Sequence, residues 1–469
     1  MNFLLYCVHF TGVAVAIALV VPTLAKSVNA QTPVETPANA VQVPDFLNPS
    51  PNPLQFPTKP EEVRIQGTQP ITLAQALELA KRNNRDLQVA ILELERGQSA
   101  LRESQAALFP NVSLGANLTN SGEGFTGTAA QSSTAFNGQV QINYDIYTSG
   151  SRQASIRVAE ERLPQLSVEI RSLEIELNVI TQYYDLQEAD EQVRINQSAV
   201  ENAQASLRDA QAREQAGVGT RFDVLQSQVN LANAQQDLTN SLAQQQIVRR
   251  QFATLLSLAQ SVNISAADPV EIAGLWQPTV EESIIQALQN RPELPQQLSQ
   301  RRISEQQRRQ ALARLGPQIS ANGFYNIADR FDDGFSSTDG YSIALRGSLN
   351  LFDGGAARAS AAQSQVNIAI AETQFASQRD QIRFDVEQFY AQLQSNLENV
   401  QTSSVALNQA REALNLARLR FEAGVGTQTD VIFAENDLTR AEGNRVTAIL
   451  NYNRALANLR RSVALRAAN

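Results

Sequence analysis

The stretch Ala216-Gly217-Val218-Gly219-Thr220 decides the fold, because the chain repeats it 207 residues later as Ala423-Gly424-Val425-Gly426-Thr427. An Asp-Val pair follows each copy at the same distance, and the same offset joins Pro110 to Pro317. The body of the protein is therefore predicted to be a tandem duplication of one unit of about 200 residues. Such a unit is far longer than the repeat of a solenoid protein.

The N-terminal 30 residues contain the only histidine, His9, and the only cysteine, Cys7. An apolar run from Thr11 to Leu24 precedes two possible cleavage positions, after Ala25 and after Ala30. This pattern is typical of a secretory signal peptide, although no Lys or Arg precedes the apolar run. An uncleaved membrane anchor is the alternative, but the run is shorter than the ~20 residues that a spanning helix needs.

Composition excludes several classes of function. Without His and Cys, a processed chain has no thiol nucleophile, no imidazole base, no thiolate metal site and no disulfide. The sequence also has no Walker-type phosphate loop and no dinucleotide fingerprint. We therefore expect no enzyme activity, no cofactor and no bound metal. The net charge of −9 argues against nucleic acid as a partner.

Proline content and helical periodicity divide the rest of the chain. Nine of the 17 prolines lie between residues 31 and 70, which predicts an extended, exposed arm without helix or central strand. A linker or spacer is the simplest role for it, and a binding role is the alternative. From Thr72 to about Leu108, and again from Thr279 to about Leu315, apolar residues follow at helical spacing. The predicted segments are a signal peptide (1–30), the Pro-rich arm (31–70), a first repeat (71–277) and a second repeat (278–469).

Each repeat next contains two segments in which apolar and polar residues alternate. They lie at about 110–120 and 138–148 in the first repeat, and at about 317–327 and 341–352 in the second. Strands of about ten residues with one apolar face match the signature of a transmembrane β-barrel. A soluble amphipathic hairpin is the alternative for any one of them.

Long helical hairpins fill the remainder, at about 150–258 in the first repeat and 356–463 in the second. Each turns at one of the two glycine phrases. An arm of about 65 residues would span ~100 Å at the α-helical rise, which is more than a globular core needs. Pro164 interrupts the first hairpin without a counterpart in the second, so we expect a kink or a displaced helix start there.

These elements constrain one another. Four membrane strands cannot close a barrel, and an open strand edge cannot lie in lipid. Because transmembrane barrels have at least eight strands, the strands must be shared between subunits, giving eight in a dimer or twelve in a trimer. The helical hairpins would follow the same symmetry and form a second tube on the same axis. The predicted product is a long water-filled conduit across the outer membrane and most of the periplasm.

The chain resembles the TolC-type outer-membrane efflux proteins over about residues 70–463. The resemblance rests on the duplicated unit, on the two glycine phrases, and on the strand ends Tyr147-Thr148-Ser149-Gly150 and Phe352-Asp353-Gly354-Gly355, which open the long helices. It implies an α+β membrane protein of the cell outer membrane. The expected fold is a homotrimeric 12-stranded β-barrel, with four strands per chain, continuous with a long periplasmic α-helical barrel.

The resemblance also implies a function and partners. The chain is expected to be an exit duct for tripartite efflux of small molecules, for type I protein secretion, or for both. Its expected partners are two further copies of itself, a periplasmic adaptor protein, an inner-membrane efflux pump or ABC transporter, and outer-membrane lipid. A periplasmic coiled-coil adaptor or scaffold protein is the alternative.

Two groups of site residues follow from the resemblance. Family members receive the adaptor at a Val-Gly-Leu/Thr phrase on the tip of each helical hairpin; the alternative is a corner that simply requires glycine. The family also narrows the channel entrance with an aspartate ring after the second tip, which matches Asp430, whereas Phe433 replaces a second family aspartate. Three Asp430 side chains near one axis would repel each other, raise their pKa and attract cations; a helix-start Asp is the alternative. The implied tip residues are Gly217, Val218, Gly219, Thr220, Gly424, Val425, Gly426 and Thr427, and the implied entrance residues are Asp430 and its first-repeat equivalent Asp223.

Overall fold

The computed structural model describes residues 47–49, 52, 54–65, 67–123, 131–259, 261–331 and 337–464. The predicted signal peptide and the first part of the arm, up to residue 46, lie outside the described residues. None of the described helices is both long enough and apolar enough to cross a membrane.

The first half of the chain alternates short helices, a strand hairpin and a long helical hairpin. Thr72 starts the second helix with a capping box, because its side chain accepts from Gln75 N and the Gln75 side chain accepts from Thr72 N. The elements are α1 (Pro60–Val63), β1 (Gly67–Ile71), α2 (Leu73–Asn83), α3 (Arg85–Ala106), β2 (Asn111–Glu123), β3 (Gln131–Tyr147), α4 (Ser151–Glu161), α5 (Gln165–Gln215), α6 (Arg221–Leu255) and β4 (Val262–Ala266).

The second half repeats this order from its first long helix pair onward. Thr279 forms the equivalent capping box with Glu282. The elements are α7 (Val280–Asn290), α8 (Glu293–Ala313), β5 (Gln318–Arg330), β6 (Thr338–Ser348), α9 (Ala356–Glu422) and α10 (Gln428–Ser462).

The arm departs from the sequence prediction. Helix α1 begins with Pro60 at its first position, where a missing N–H costs nothing. Strand β1 pairs in parallel with β4 and contains Pro70, which is tolerated because each strand of a two-stranded sheet has a free edge. Leu47 is fully buried, and its carbonyl accepts a hydrogen bond from Ala259 N over 3.2 Å. The prediction of an exposed arm without helix or strand is therefore wrong for these residues.

Pro164 breaks the first long helix as expected. Helix α4 ends at Glu161, and α5 starts immediately after Pro164. The equivalent helix α9 runs without interruption for 67 residues. Because Pro lacks an N–H and its ring crowds the preceding turn, the chain restarts the helix instead of continuing it.

The four long strands form one antiparallel sheet in the order β2-β3-β5-β6. Residues directly opposite each other share a face, and Val140 lies opposite both Leu114 and Tyr325. This face is rich in exposed apolar side chains, as the alternation predicts. The predicted last strand was too long, since β6 ends at Ser348, which pairs with Gln318 at the start of β5. Beyond that pair no partner strand remains.

Two apolar cores hold the helices together below the sheet. The first surrounds the fully buried Tyr183 and Phe252 and includes residues of α2, α5, α6, β1 and β4. The second joins Ala287 of α7 to Leu459 near the end of α10. Beside it, Arg291 binds both oxygens of Glu293 over 3.0 and 3.2 Å. Burial alone would raise the pKa of Glu293, but the hydrogen bonds and charges of its two arginine partners outweigh burial and lower the pKa to about 2.

Candidate functional site

The tips of both helical hairpins are the same tight turn. Gly217 and Gly424 follow the ends of α5 and α9 with φ of 77° and 73°, a left-handed conformation that glycine adopts without steric cost. In each turn the next amide reaches back to a helix carbonyl: Val218 N donates to Arg213 O over 3.0 Å, and Val425 N donates to Arg420 O over 2.9 Å. These bonds cap the helix C-terminus.

The second glycine of each phrase serves a different purpose. A Cβ on Gly219 would lie 3.0 Å from Glu214 N, and a Cβ on Gly426 would lie 3.0 Å from Phe421 N. These contacts are with backbone that cannot move aside without opening the turn. The alternative of a corner that requires glycine is therefore supported for all four glycines, by dihedral angle at the first position and by close approach at the second.

The residues that start the returning helices form capping boxes. Thr220 accepts from Asp223 N over 3.2 Å, and Thr427 accepts from Asp430 N over 3.1 Å. The Asp430 carboxylate accepts in turn from Thr427 N over 2.9 Å. This backbone hydrogen bond, followed by one from the Thr427 side chain, lowers the pKa of Asp430. Within one chain Asp430 is thus a helix-start residue, and repulsion between three copies would oppose this lowering.

Contacts that the sequence did not reveal hold the two tips side by side. The Arg213 guanidinium lies 4.1 Å from the centre of the Phe421 ring, so a cation–π contact joins the ends of α5 and α9. Thr429 Oγ1 donates to Gln226 Oε1 over 3.0 Å and joins α10 to α6. The structure therefore brings the eight predicted tip residues together in two neighbouring turns. Both pairs lie across repeats, and no periodic signal in the sequence marks them.

The surface of the tips is apolar where it is exposed. Val218 and Val425 are 76% and 69% exposed, and Phe222 and Phe433 are exposed one turn further on. Each tip thus offers a protruding valine and a nearby phenylalanine on top of a hydrogen-bonded turn. Because the turn is rigid, such side chains can contact a partner without ordering the backbone first.

A polar cleft of about 510 Å³ lies directly behind the tips, between α5 and the α9–α10 hairpin. Glu435, almost fully buried, accepts from Ser206 Oγ over 3.0 Å and pairs with Arg418 over 3.1 Å. Gln428, 2% exposed, lines the same cleft. This cluster connects the two hairpins of one chain just behind their turns. Its residues carry no repeat signal, and sequence reasoning missed them.

The family model of the outer membrane efflux protein matches residues 76–257 and again 284–465. Most of the chain is covered by these two matches, one for each half. The chain belongs to the outer membrane efflux protein family. It is accordingly an outer-membrane efflux channel subunit with a large periplasmic part, and the alternative of an adaptor or scaffold protein is set aside. The family is one of channel proteins.

Three similar proteins illustrate the range of this family. The pyoverdine export outer membrane protein OpmQ of Pseudomonas putida is 25% identical over 413 residues, 84% of each chain. The cobalt-zinc-cadmium resistance protein CzcC of Cupriavidus metallidurans is 26% identical over 380 residues, 79% of this chain and 85% of CzcC. The crystal structure of the outer membrane protein VceC of Vibrio cholerae superimposes with a TM-score of 0.70 at 18% identity, over 83% of this chain and 95% of VceC.

The structural likeness concerns the fold. With it, the fold class expected from the sequence is confirmed: an α+β chain that contributes a four-stranded sheet and long helical hairpins to a homotrimeric channel. The sheet has its two unpaired edges at β2 and β6, as a subunit that closes a barrel with its neighbours requires.

Proposed function

We propose that this channel is the exit duct of a tripartite efflux system and that a periplasmic adaptor binds its helical tips. The observation that supports this proposal is the pair of exposed valines, Val218 and Val425, held on matching rigid turns. An inner-membrane efflux pump or ABC transporter would complete the system. The tips are far from the membrane, since the 67 residues of α9 span about 100 Å.

Small molecules or ions are the proposed cargo. The names of two relatives, a pyoverdine exporter and a cobalt-zinc-cadmium resistance protein, both describe the removal of small solutes from the cell. At 25% and 26% identity they do not agree on one solute, so the proposal is limited to this class. Type I protein secretion is the competing cargo class, and a comparison of exported proteins in a deletion strain would detect it.

Asp430 is proposed to line the channel entrance and Asp223 to be its equivalent on the neighbouring tip. The two carboxylates lie at the first turn of α10 and α6, immediately after the turns. In a trimer, three Asp430 side chains near the axis would form a ring that favours cations. Because Phe433 occupies the position of a second family aspartate, the proposed ring is single.

The docking proposal is tested at the valines. Bulky residues at Gly219 and Gly426 would open the turn itself, so a loss of export there would not separate docking from folding. The double variant Val218→Asp with Val425→Asp leaves both turns intact and places charge on the proposed contact. We expect normal trimers in the outer membrane, loss of cross-linking to the adaptor, and loss of export.

The matched control is Val405→Asp, at an exposed valine in the middle of α9. Its export and cross-linking should match those of the wild type. Normal export by the double valine variant would remove the docking role from both tips.

A further inference from the structure

The two faces of the strand sheet differ sharply in composition. Strand register places Leu114, Val140, Tyr325 and Tyr341 in one row across all four strands, on the apolar face. The opposite face carries amides, hydroxyls, small residues and a few charges. In a barrel within lipid the apolar face is outside, so the polar face lines the water-filled lumen.

Phe324 is the exception on the lumenal face. It lies directly opposite Gln141 on β3 and Ser342 on β6. Among the strand residues whose side chains the structure describes, it is the one large apolar side chain on this face. The remaining members of this face are Asn111, Ser113, Gly115, Asn117, Thr119, Ser121, Ser133, Ala135, Asn137, Gln139, Gln141, Asn143, Asp145, Gln318, Ser320, Asn322, Asn326, Ala328, Arg330, Thr338, Gly340, Ser342, Ala344, Arg346 and Ser348.

Trimer assembly does not cover this phenylalanine. Strand β5 pairs on both sides with strands of its own chain, β3 and β6, whereas new strand pairing can occur only at β2 and β6. Phe324 is 42% exposed in the single chain, and a neighbouring subunit adds nothing next to it. An apolar ring that stays in contact with water in the lumen is costly, so burial against a core does not account for its presence.

The rings are too short to close the lumen. With strands about 4.8 Å apart and tilted by about 40°, a 12-stranded barrel has a backbone diameter of roughly 25 Å. A phenylalanine ring extends only about 6 Å from the backbone, given ordinary bond lengths. Three Phe324 rings therefore leave an opening wide enough for a solute, and they act as contacts on the wall.

The rows next to Phe324 are uncharged. Its neighbours along β5 are Asn322 and Asn326, and the first charged row beyond them holds Asp145 and Arg346 on either side of Ser320. These two opposite charges lie in the same row and offset each other. Attraction of a solute to Phe324 would therefore come from the ring face, which binds aromatic surfaces and cations.

We propose that the three Phe324 rings of the trimer form an aromatic contact site for aromatic and organic-cation cargo inside the barrel. The proposal rests on the channel fold and is independent of adaptor docking. A solute leaving the helical tube would exchange water for a ring face before it reaches the cell exterior. Aromatic cations would bind more strongly than alkyl cations of equal charge, because they offer both a charge and a stacking surface.

The test uses the purified full-length channel in a planar bilayer. Tetraphenylphosphonium, added on the barrel side, should block single-channel current with resolvable dwell times, and tetraethylammonium should block less. In Phe324→Ser the tetraphenylphosphonium dwell time should fall roughly two- to fivefold, as expected for loss of an exposed cation–π contact. Phe324→Trp should retain or lengthen it.

Two variants complete the test. Asn326→Ser, on the same face two residues away, should leave the dwell time unchanged. Phe324→Leu keeps an apolar side chain without a π face and should behave like Phe324→Ser, so the test remains decisive if the serine variant does not assemble. A wild-type channel that conducts without tetraphenylphosphonium block, or equal dwell times in the wild type and Phe324→Leu, would overturn this proposal alone. Failure of adaptor docking would leave these currents unchanged.

Discussion

Gly97 in α3 approaches Pro164 so closely that a Cβ on residue 97 would lie 2.8 Å from Pro164 Cδ. The helix break in the first repeat is thus matched by a glycine on the helix packed against it. An exposed helical Gly→Ala change normally stabilises a protein by roughly 0.5–1 kcal/mol. Here overpacking reverses the sign, and we expect Gly97→Ala to destabilise the protein by about 1–2 kcal/mol in detergent unfolding experiments.

The control is Gly443→Ala in α10, where the new Cβ would meet Gln192 Oε1 at an ordinary 3.7 Å. That change should be neutral or stabilising. In a double-mutant cycle, Pro164→Ala should remove most of the cost of Gly97→Ala. Additive costs would show that the contact between residues 97 and 164 is not responsible.

The Glu293 cluster predicts a loss of stability in acid. The folded-state pKa of Glu293 is about 2, below its ordinary value of 4.5, so the stabilisation is fully present above about pH 5. It is lost as pH falls from 4.5 towards 2. The upper bound for such a shift is about 3 kcal/mol, which solvent screening reduces. In Glu293→Gln the stability at pH 7 should be lower, and its decline between pH 5 and 2 should be shallower.

The measurement is the apparent melting temperature across this pH range. Glu281→Gln, in the first turn of α7, changes the same charge outside the cluster. It should follow the wild-type profile. Parallel profiles for the wild type and Glu293→Gln would exclude the cluster as the source of acid sensitivity.

The strand register predicts which arginine substitutions the sheet tolerates. Val140→Arg or Leu345→Arg would place charge on the apolar face, at a cost of about 2–4 kcal/mol near the bilayer midplane. Gln141→Arg and Ser342→Arg would face the lumen and should be tolerated. The yield of heat-resistant trimer in outer membranes measures the difference. Similar yields for the two pairs would contradict the assignment of faces.

Asp430 is expected to influence ion selectivity without affecting assembly. Asp430→Asn keeps an acceptor for Thr427 N, so the helix cap persists, but the charge is lost. Single-channel recordings should then show reduced cation selectivity and weaker block by divalent cations. Asp437→Asn, at an exposed aspartate two turns further along α10, should change neither property. Unchanged selectivity in Asp430→Asn would leave this residue a helix cap only.

The sequence predicted those features that depend on local periodicity. Alternation located the strands, and the glycine phrases located both tips, because these signals arise from neighbouring residues. It did not predict β1, where Pro70 suggested irregular structure, since the partner strand lies almost 200 residues away. The Arg213–Phe421 contact was missed for the same reason. Contacts between repeats depend on how the two hairpins pack, and one sequence does not encode that in any local pattern.

The parallel pairing of β1 with β4 places Gly67 opposite Val262, so the first repeat returns to its own starting point. The second repeat does the same, because Ala287 near its start and Val463 at its end share one apolar core. A unit whose two ends meet can be fused head to tail with a copy of itself without rearranging either copy. The ancestral gene would then have encoded a half-length chain, and six such chains would build the tube that three build now.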